Sequence, residues 1–195
     1  MAERNVGLVN LLRIERLKEG TPAQQAAWRV LTELGILDLL SPFDARLAGT
    51  IPIDVDIPGS DLDVICQADD LNALARVLAT HYGHHTGFQM KRKVRYGHPV
   101  LVCEFAYNQL PIQVYGSPTP VAQQRAWVHM VAEAYLLSQS GPEAKAAVRA
   151  LKSSGMKTEP AFAHVFGLQG EPYEVLYELG LSILHQMESP RDGLR

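Results

Sequence analysis

A chain of 195 residues that is 47% hydrophobic and 20% charged can bury a core, and its composition excludes a disordered or fibrous protein. A net charge of −3 offers no general basic field, so nucleic acid is not an expected partner. Two cysteines, Cys66 and Cys103, lie inside apolar strand-like runs and read as buried reduced thiols, not as a disulfide frame or a zinc site.

Val6, Val9, Leu12 and Ile14 recur at helical spacing and predict a short amphipathic helix over residues 5–18, stopped at Gly20. The apolar run over residues 6–17 is broken by Arg13, Glu15 and Arg16, so it reads as neither signal peptide nor membrane span. A cytoplasmic protein with no membrane partner is the expectation. Thr21, Pro22 and Gln24 then combine an N-cap, a first-turn proline and a capping-box glutamine. The helix they open should run to about residue 40, with Trp28, Leu31, Leu34 and Leu37 inward, and break at Ser41-Pro42.

Residues 51–60 alternate Ile51, Ile53, Val55 and Ile57 with Pro52, Asp54 and Asp56, which predicts an extended segment kept off a sheet centre by its prolines. Asp54 and Asp56 form an Asp-x-Asp pair, but one lying between prolines with no strand core after it. A calcium loop from Asp54 fails, since its fifth position is Pro58 and its twelfth is Ile65. Asp61 and Asp63 follow, flanking Leu62 and leading into Val64, Ile65 and Cys66, a strand pattern.

Asp69-Asp70 caps a helix carrying Leu71, Leu74, Val77 and Leu78, ending near Gly83. Residues 88–96, 100–107 and 110–115 read as successive antiparallel strands, with turns at Gly97-His98 and Asn108-Gln109. Beyond Pro118 and Pro120 the pattern is helical: 121–139, 142–153, and a last helix opened by Glu171-Pro172 and reaching about Met187. Residues 157–163 read as a tight connection with Pro160 at a first helical turn, or as a segment whose polar residues line a pocket. Residues 1–117 thus form a core with two N-terminal helices and 118–195 a helical lobe, in one compact unit.

On a strand, residues two apart share a face, so Asp61 and Asp63 project together and repel. A divalent cation relieves that repulsion, and magnesium suits two carboxylates plus the oxygens of a substrate phosphate. The alternative is a solvated strand end whose acids discourage edge pairing. Gly49 before Thr50 lets backbone N–H groups approach an anion closely. Ser60 fits either a phosphate donor or a turn cap. Lys91, Arg92, Lys93 and Arg95 form the basic cluster, and Lys91, Lys93 and Arg95 share a strand face. They read as a solvated edge or, for Lys91 and Lys93, as triphosphate ligands. His84, His85, His98, His129 and His164 lack zinc spacing and read as surface or core histidines.

Leu47-Ala48-Gly49-Thr50, a ten-residue spacer and Asp61-Leu62-Asp63-Val64 together resemble the signature of the DNA polymerase beta-type nucleotidyltransferase superfamily. The wider stretches GTIPIDVDIPGSDLDV, KTEPAFA and GEPY resemble a small bacterial domain-of-unknown-function family within it. The resemblance implies an α/β (α+β) fold in which a small mixed sheet is flanked by helices and a C-terminal helical lobe walls a cleft. It further implies that Asp61 and Asp63 hold magnesium, with manganese as a substitute, and that Gly49 and Thr50 cradle a nucleoside triphosphate. The nucleotidyl group would pass to a hydroxyl or phosphate of a small-molecule or protein acceptor.

Superfamily members carry a third carboxylate on a neighbouring strand, at a position that here is Gln113. Glutamine is no base and a poor magnesium ligand. If Asn108-Gln109 is a two-residue turn, Tyr107 pairs with Leu110 and Glu104 falls opposite Gln113, with Cβ atoms about 5 Å apart. Glu104 is then either the third acid or an exposed strand acid. Gln113 equally suits a catalytically degenerate protein that binds a nucleotide or a partner.

Overall fold

The computed structural model describes residues 13–188. Ile14–Glu19 forms a 3-10 turn, and most of the helix expected over residues 5–18 lies outside the described residues. Helix α1 (Pro22–Leu34) begins as its caps dictate: Gln24 N–H donates to Thr21 Oγ1, and Thr21 N–H donates to Gln24 Oε1 at 3.1 Å. It does not run on to residue 40. Gly35 turns left-handed (φ 58°) and restarts the chain as a single turn, α2 (Ile36–Leu39). The restart changes the helical phase. Ala27, Val30, Leu31, Ile36 and Leu40 are the buried set, while Trp28, Leu34 and Leu37 are half-buried.

The strands are β1 (Arg46–Ala48), β2 (Leu62–Gln67), β3 (Thr86–Arg95), β4 (His98–Tyr107) and β5 (Leu110–Ser117), and helix α3 (Leu71–Tyr82) follows β2. Asp70 caps α3 by accepting from Asn72 N–H at 2.8 Å. The sheet order is β1-β2-β5-β4-β3, with β2 and β5 parallel and every other pair antiparallel. Asn108 and Gln109 both take positive φ and join β4 to β5 with Tyr107 opposite Leu110, the register expected. The β3–β4 turn is Tyr96-Gly97, one residue earlier than expected: Tyr96 accepts φ 51°, so Arg95 can pair with His98.

Four helices complete the chain: α4 (Arg125–Ser138), α5 (Pro142–Ser153), α6 (Thr158–Phe166) and α7 (Pro172–Glu188). Val121–Gln123 is a 3-10 turn ahead of α4, so the expected helix over 121–139 is divided. Residues 157–163, read as a connection, fall largely within α6. Residues 51–60 are not extended. Val55 N–H donates to Thr50 O at 3.1 Å, Asp54 takes φ 60°, and the turn buries Ile51, Ile53 and Val55. The Asp54 carboxylate anchors this turn to α5, paired with Lys145 at 3.0 Å and with Arg149.

Alternation along the strands gives the sheet two apolar faces. Leu62, Val64, Cys66, Phe105 and Val114 pack toward α1 and α3. Ala48 and Ile65, with the turn residues Ile53 and Val55, share a second cluster with Met130, Val148, Phe162 and Leu176 of the C-terminal helices. Cys66 and Cys103 are free thiols, and burial pushes both up to about 12. Among the described residues no helix is long and apolar enough to cross a membrane.

Candidate functional site

Antiparallel pairing of β1 with β2 sets Ala48 opposite Asp63 and delivers the next residue, Gly49, onto the Asp63 side chain. Gly49 takes φ 84°, and a Cβ there would collide with the Asp63 carboxylate, so the position requires glycine twice over. The same row continues across the sheet as Gln113, Glu104 and Gln89, all on one face. Asp61 lies one residue before β2 begins at Leu62. Burial first, and the Asp61 charge second, push the Asp63 carboxyl up to about 7, while Lys152 of α5 opposes them.

Two carboxylates with that excess of negative potential match the chemistry of a magnesium site. Among the described residues no three His, Cys, Asp or Glu side chains converge as a metal centre. Magnesium on Asp61 and Asp63 would therefore depend on substrate oxygens and water for its remaining ligands, which is its usual mode with phosphates.

Between the sheet and the C-terminal helices lies a cavity of about 580 Å³. Gly49, Thr50, Asp63, Gln113 and Tyr115 line its sheet side. Gln124, Arg125, His129, Glu133 and Glu159 line the helical side, and Arg95, Tyr96 and His98 border it from the β3–β4 turn. Several residues singled out in the sequence stand apart from it. Ser60 caps a turn, its Oγ accepting from Ile57 N–H at 3.0 Å. Glu104 does sit opposite Gln113, but its carboxylate accepts from Gln89 Nε2 at 2.6 Å and lies 3.7 Å from Lys91 Nζ. Both partners belong to β3, so Glu104 leans away from Asp63, which is two strands off on the other side. Lys91 and Lys93 stay on the exposed β3 edge, and Arg95 is the member of the basic cluster that borders the cavity.

The helical side carries groups that the sequence reading passed over. Arg125, His129 and Glu133 fall four apart on α4 and make one polar stripe on an otherwise apolar helix, a signal visible in the spacing. His129, expected as a surface or core histidine, is buried, with Nε2 2.9 Å from Tyr173 O and Nδ1 3.2 Å from Glu159. Burial pushes Glu159 up, but the His129 hydrogen bond and its own backbone N–H outweigh that and hold its carboxyl below the ordinary range. Glu133 is pushed up to about 8, by burial first and the Glu159 charge second, against the pull of Lys152. Lys152 donates to Val55 O at 2.7 Å and acts on both Asp63 and Glu133. Arg125 is held between the rings of Tyr96 and Tyr177, 4.7 Å from each, and pairs with Glu174 at 2.7 Å.

The sequence model of the family described as "Domain of unknown function (DUF4269)" matches residues 29–179. No curated protein matches this sequence. Among solved structures, a chain of the GLD-2/RNP-8 complex is similar with a TM-score of 0.55 at 15% identity, over 92% of this chain and 74% of that one. A chain of the non-canonical poly(A) polymerase complex GLD-2–GLD-3 gives 0.48 at 11% identity, over 82% and 52%. The Cid1 poly(U) polymerase with MgGTP bound gives 0.47 at 16%, over 73% and 47%. The chain thus spans from about half to three quarters of the length of these proteins. The fold is nucleotidyltransferase-like: a five-stranded mixed sheet flanked by helices.

Proposed function

The chain belongs to the family described as Domain of unknown function (DUF4269), and from that premise we propose that it transfers a nucleotidyl group from a nucleoside triphosphate to an acceptor. The observation that carries the reading is the Gly49-Thr50 turn seated on Asp63 at the wall of the cavity. In this proposal Asp61 and Asp63 hold magnesium, for which manganese can substitute. When bound, the ion neutralises triphosphate charge and favours departure of pyrophosphate. Gly49 leaves the backbone N–H groups of its turn open to phosphate oxygens, and Thr50 adds a hydroxyl donor. Arg95, at the cavity border, supplies a cation for the outer phosphates. The acceptor is a small molecule or a protein, since a net charge of −3 provides few contacts for a nucleic-acid backbone.

A second reading is favoured by one row of residues. Gln113 stands where a third acid would assist proton removal, and Glu104 is engaged by Gln89 and Lys91. A protein that binds the nucleotide without transferring it fits that row. The four ribonucleoside triphosphates, each with and without magnesium, separate the readings when thermal shift is followed alongside pyrophosphate release, with short RNA among the acceptors offered. The wild type should be stabilised only by nucleotide and magnesium together, and Asp61→Asn/Asp63→Asn should fold yet lose the shift. A shift with no pyrophosphate from any acceptor selects the binding protein; a full shift in the double variant puts the site elsewhere.

A further inference from the structure

The helical side of the cavity bears on what the acceptor is. Glu133 on α4 is 4% exposed, borders the cavity, and makes no hydrogen bond from its carboxyl among the described residues. The charged groups around it do have partners: Glu159 has His129, Arg125 has Glu174, and Lys152 has the Val55 carbonyl.

An ionised Glu133 carboxylate is acceptor-only, so a ligand that holds it in that form must bring donors. Charge narrows the choice. Glu133 and Glu159 lie together on the helical side of the cavity, with Lys152 as a nearby ammonium. That pair repels a phosphate and leaves the triphosphate to the sheet side, with Gly49, Thr50, Arg95 and the magnesium that Asp61 and Asp63 would hold. A neutral polyol supplies donors but no charge, so it leaves burial free to keep the Glu133 carboxyl protonated. An ammonium supplies both donors and charge, through short charge-assisted hydrogen bonds.

Resting on the nucleotidyl-transfer reading, we infer that the cavity beside Glu133 is the acceptor subsite and that it takes a compound carrying a protonated amine beside its hydroxyl or at the end of its chain. Glu133 is the group that holds the amine. Calorimetry on the wild-type protein without nucleotide tests this, with spermidine and glucosamine as probes and 1,8-octanediol and glucose as their uncharged counterparts. At least one amine should bind where its neutral counterpart does not, a comparison that needs no variant. Glu133→Gln keeps the shape of the side chain and should weaken that amine by about 10–100-fold, the range for a hydrogen bond to a charged group. The same variant should keep the stabilisation by magnesium and ATP.

Equal binding of amine and neutral compound, or an unchanged amine affinity in Glu133→Gln, overturns the subsite even when the nucleotide shift is intact. Amine binding in a protein that shows no magnesium-nucleotide shift overturns the acceptor role and, separately, the transfer reading.

Discussion

Gly49 joins two demands that other residues meet one at a time: a left-handed backbone and a neighbour that leaves no room for a Cβ. Gly49→Ala should therefore destabilise the fold by about 1–3 kcal/mol, the usual range for a strained backbone residue. It should also erase the magnesium-dependent nucleotide shift, because the Asp63 carboxylate has to move. Thermal unfolding with and without nucleotide reads both effects, and an alanine variant with wild-type stability would contradict the contact. Gly49, Asp61 and Asp63 could be singled out as candidates from the sequence because they lie within a short span and follow from local spacing. Glu133 was not. Its lack of a hydrogen-bond partner exists only in three dimensions, and only the four-residue rhythm from Arg125 through His129 hinted that this helix turns polar groups inward. Glu104 shows the complementary difficulty. Register is a backbone property and was readable from a two-residue turn, but which neighbour a carboxylate leans toward depends on Gln89 and Lys91 across another strand.

Among the elements, local turn chemistry decided which expectations survived. Thr21, Pro22 and Gln24 opened α1 as expected, and Asn108-Gln109 set the β4–β5 register. Gly35 ended α1 early because a glycine inside an apolar helical pattern is equally suited to continue it or to cap it, and periodicity cannot distinguish the two. The segment over residues 51–60 misled for a related reason. Alternating apolar residues suggest a strand, yet here they line the inside of a turn whose Asp54 is held by Lys145 and Arg149 from a distant helix. Asp54→Asn tests that anchor, since asparagine tolerates positive φ and removes mainly the charge. The Asp54 side chain is 17% exposed, and losing its two cations should cost about 1.5–3 kcal/mol in denaturant unfolding. A loss no larger than that of an ordinary surface substitution would mean the turn holds itself.

Over the whole molecule, the sheet faces one apolar cluster on each side, and the acids lie where the second cluster gives way to the cavity. This placement has a pH signature. Asp63 and Glu133 have folded values of about 7 and about 8, above their ordinary 3.8 and 4.5, so the folded state holds protons that the unfolded chain releases. Their contribution is fully present below about pH 4 and is lost as pH rises toward 8. Melting temperatures compared at pH 5.5 and pH 8 should fall with pH in the wild type and fall less in Glu133→Gln; parallel profiles for the two proteins would contradict the burial of this acid. The parallel pairing of β2 with β5 has a different consequence. Tight turns can close β3 on β4 and β4 on β5, but a parallel neighbour needs a crossover, and here α3, β3 and β4 all intervene. Contacts so distant along the chain are slow to form, because loop-closure entropy is lost before they repay it. Refolding is thus expected to wait on the docking of a preformed three-stranded meander against β2. A chain halted just short of that event has its hairpins and local helices, and its acids have no cavity to face.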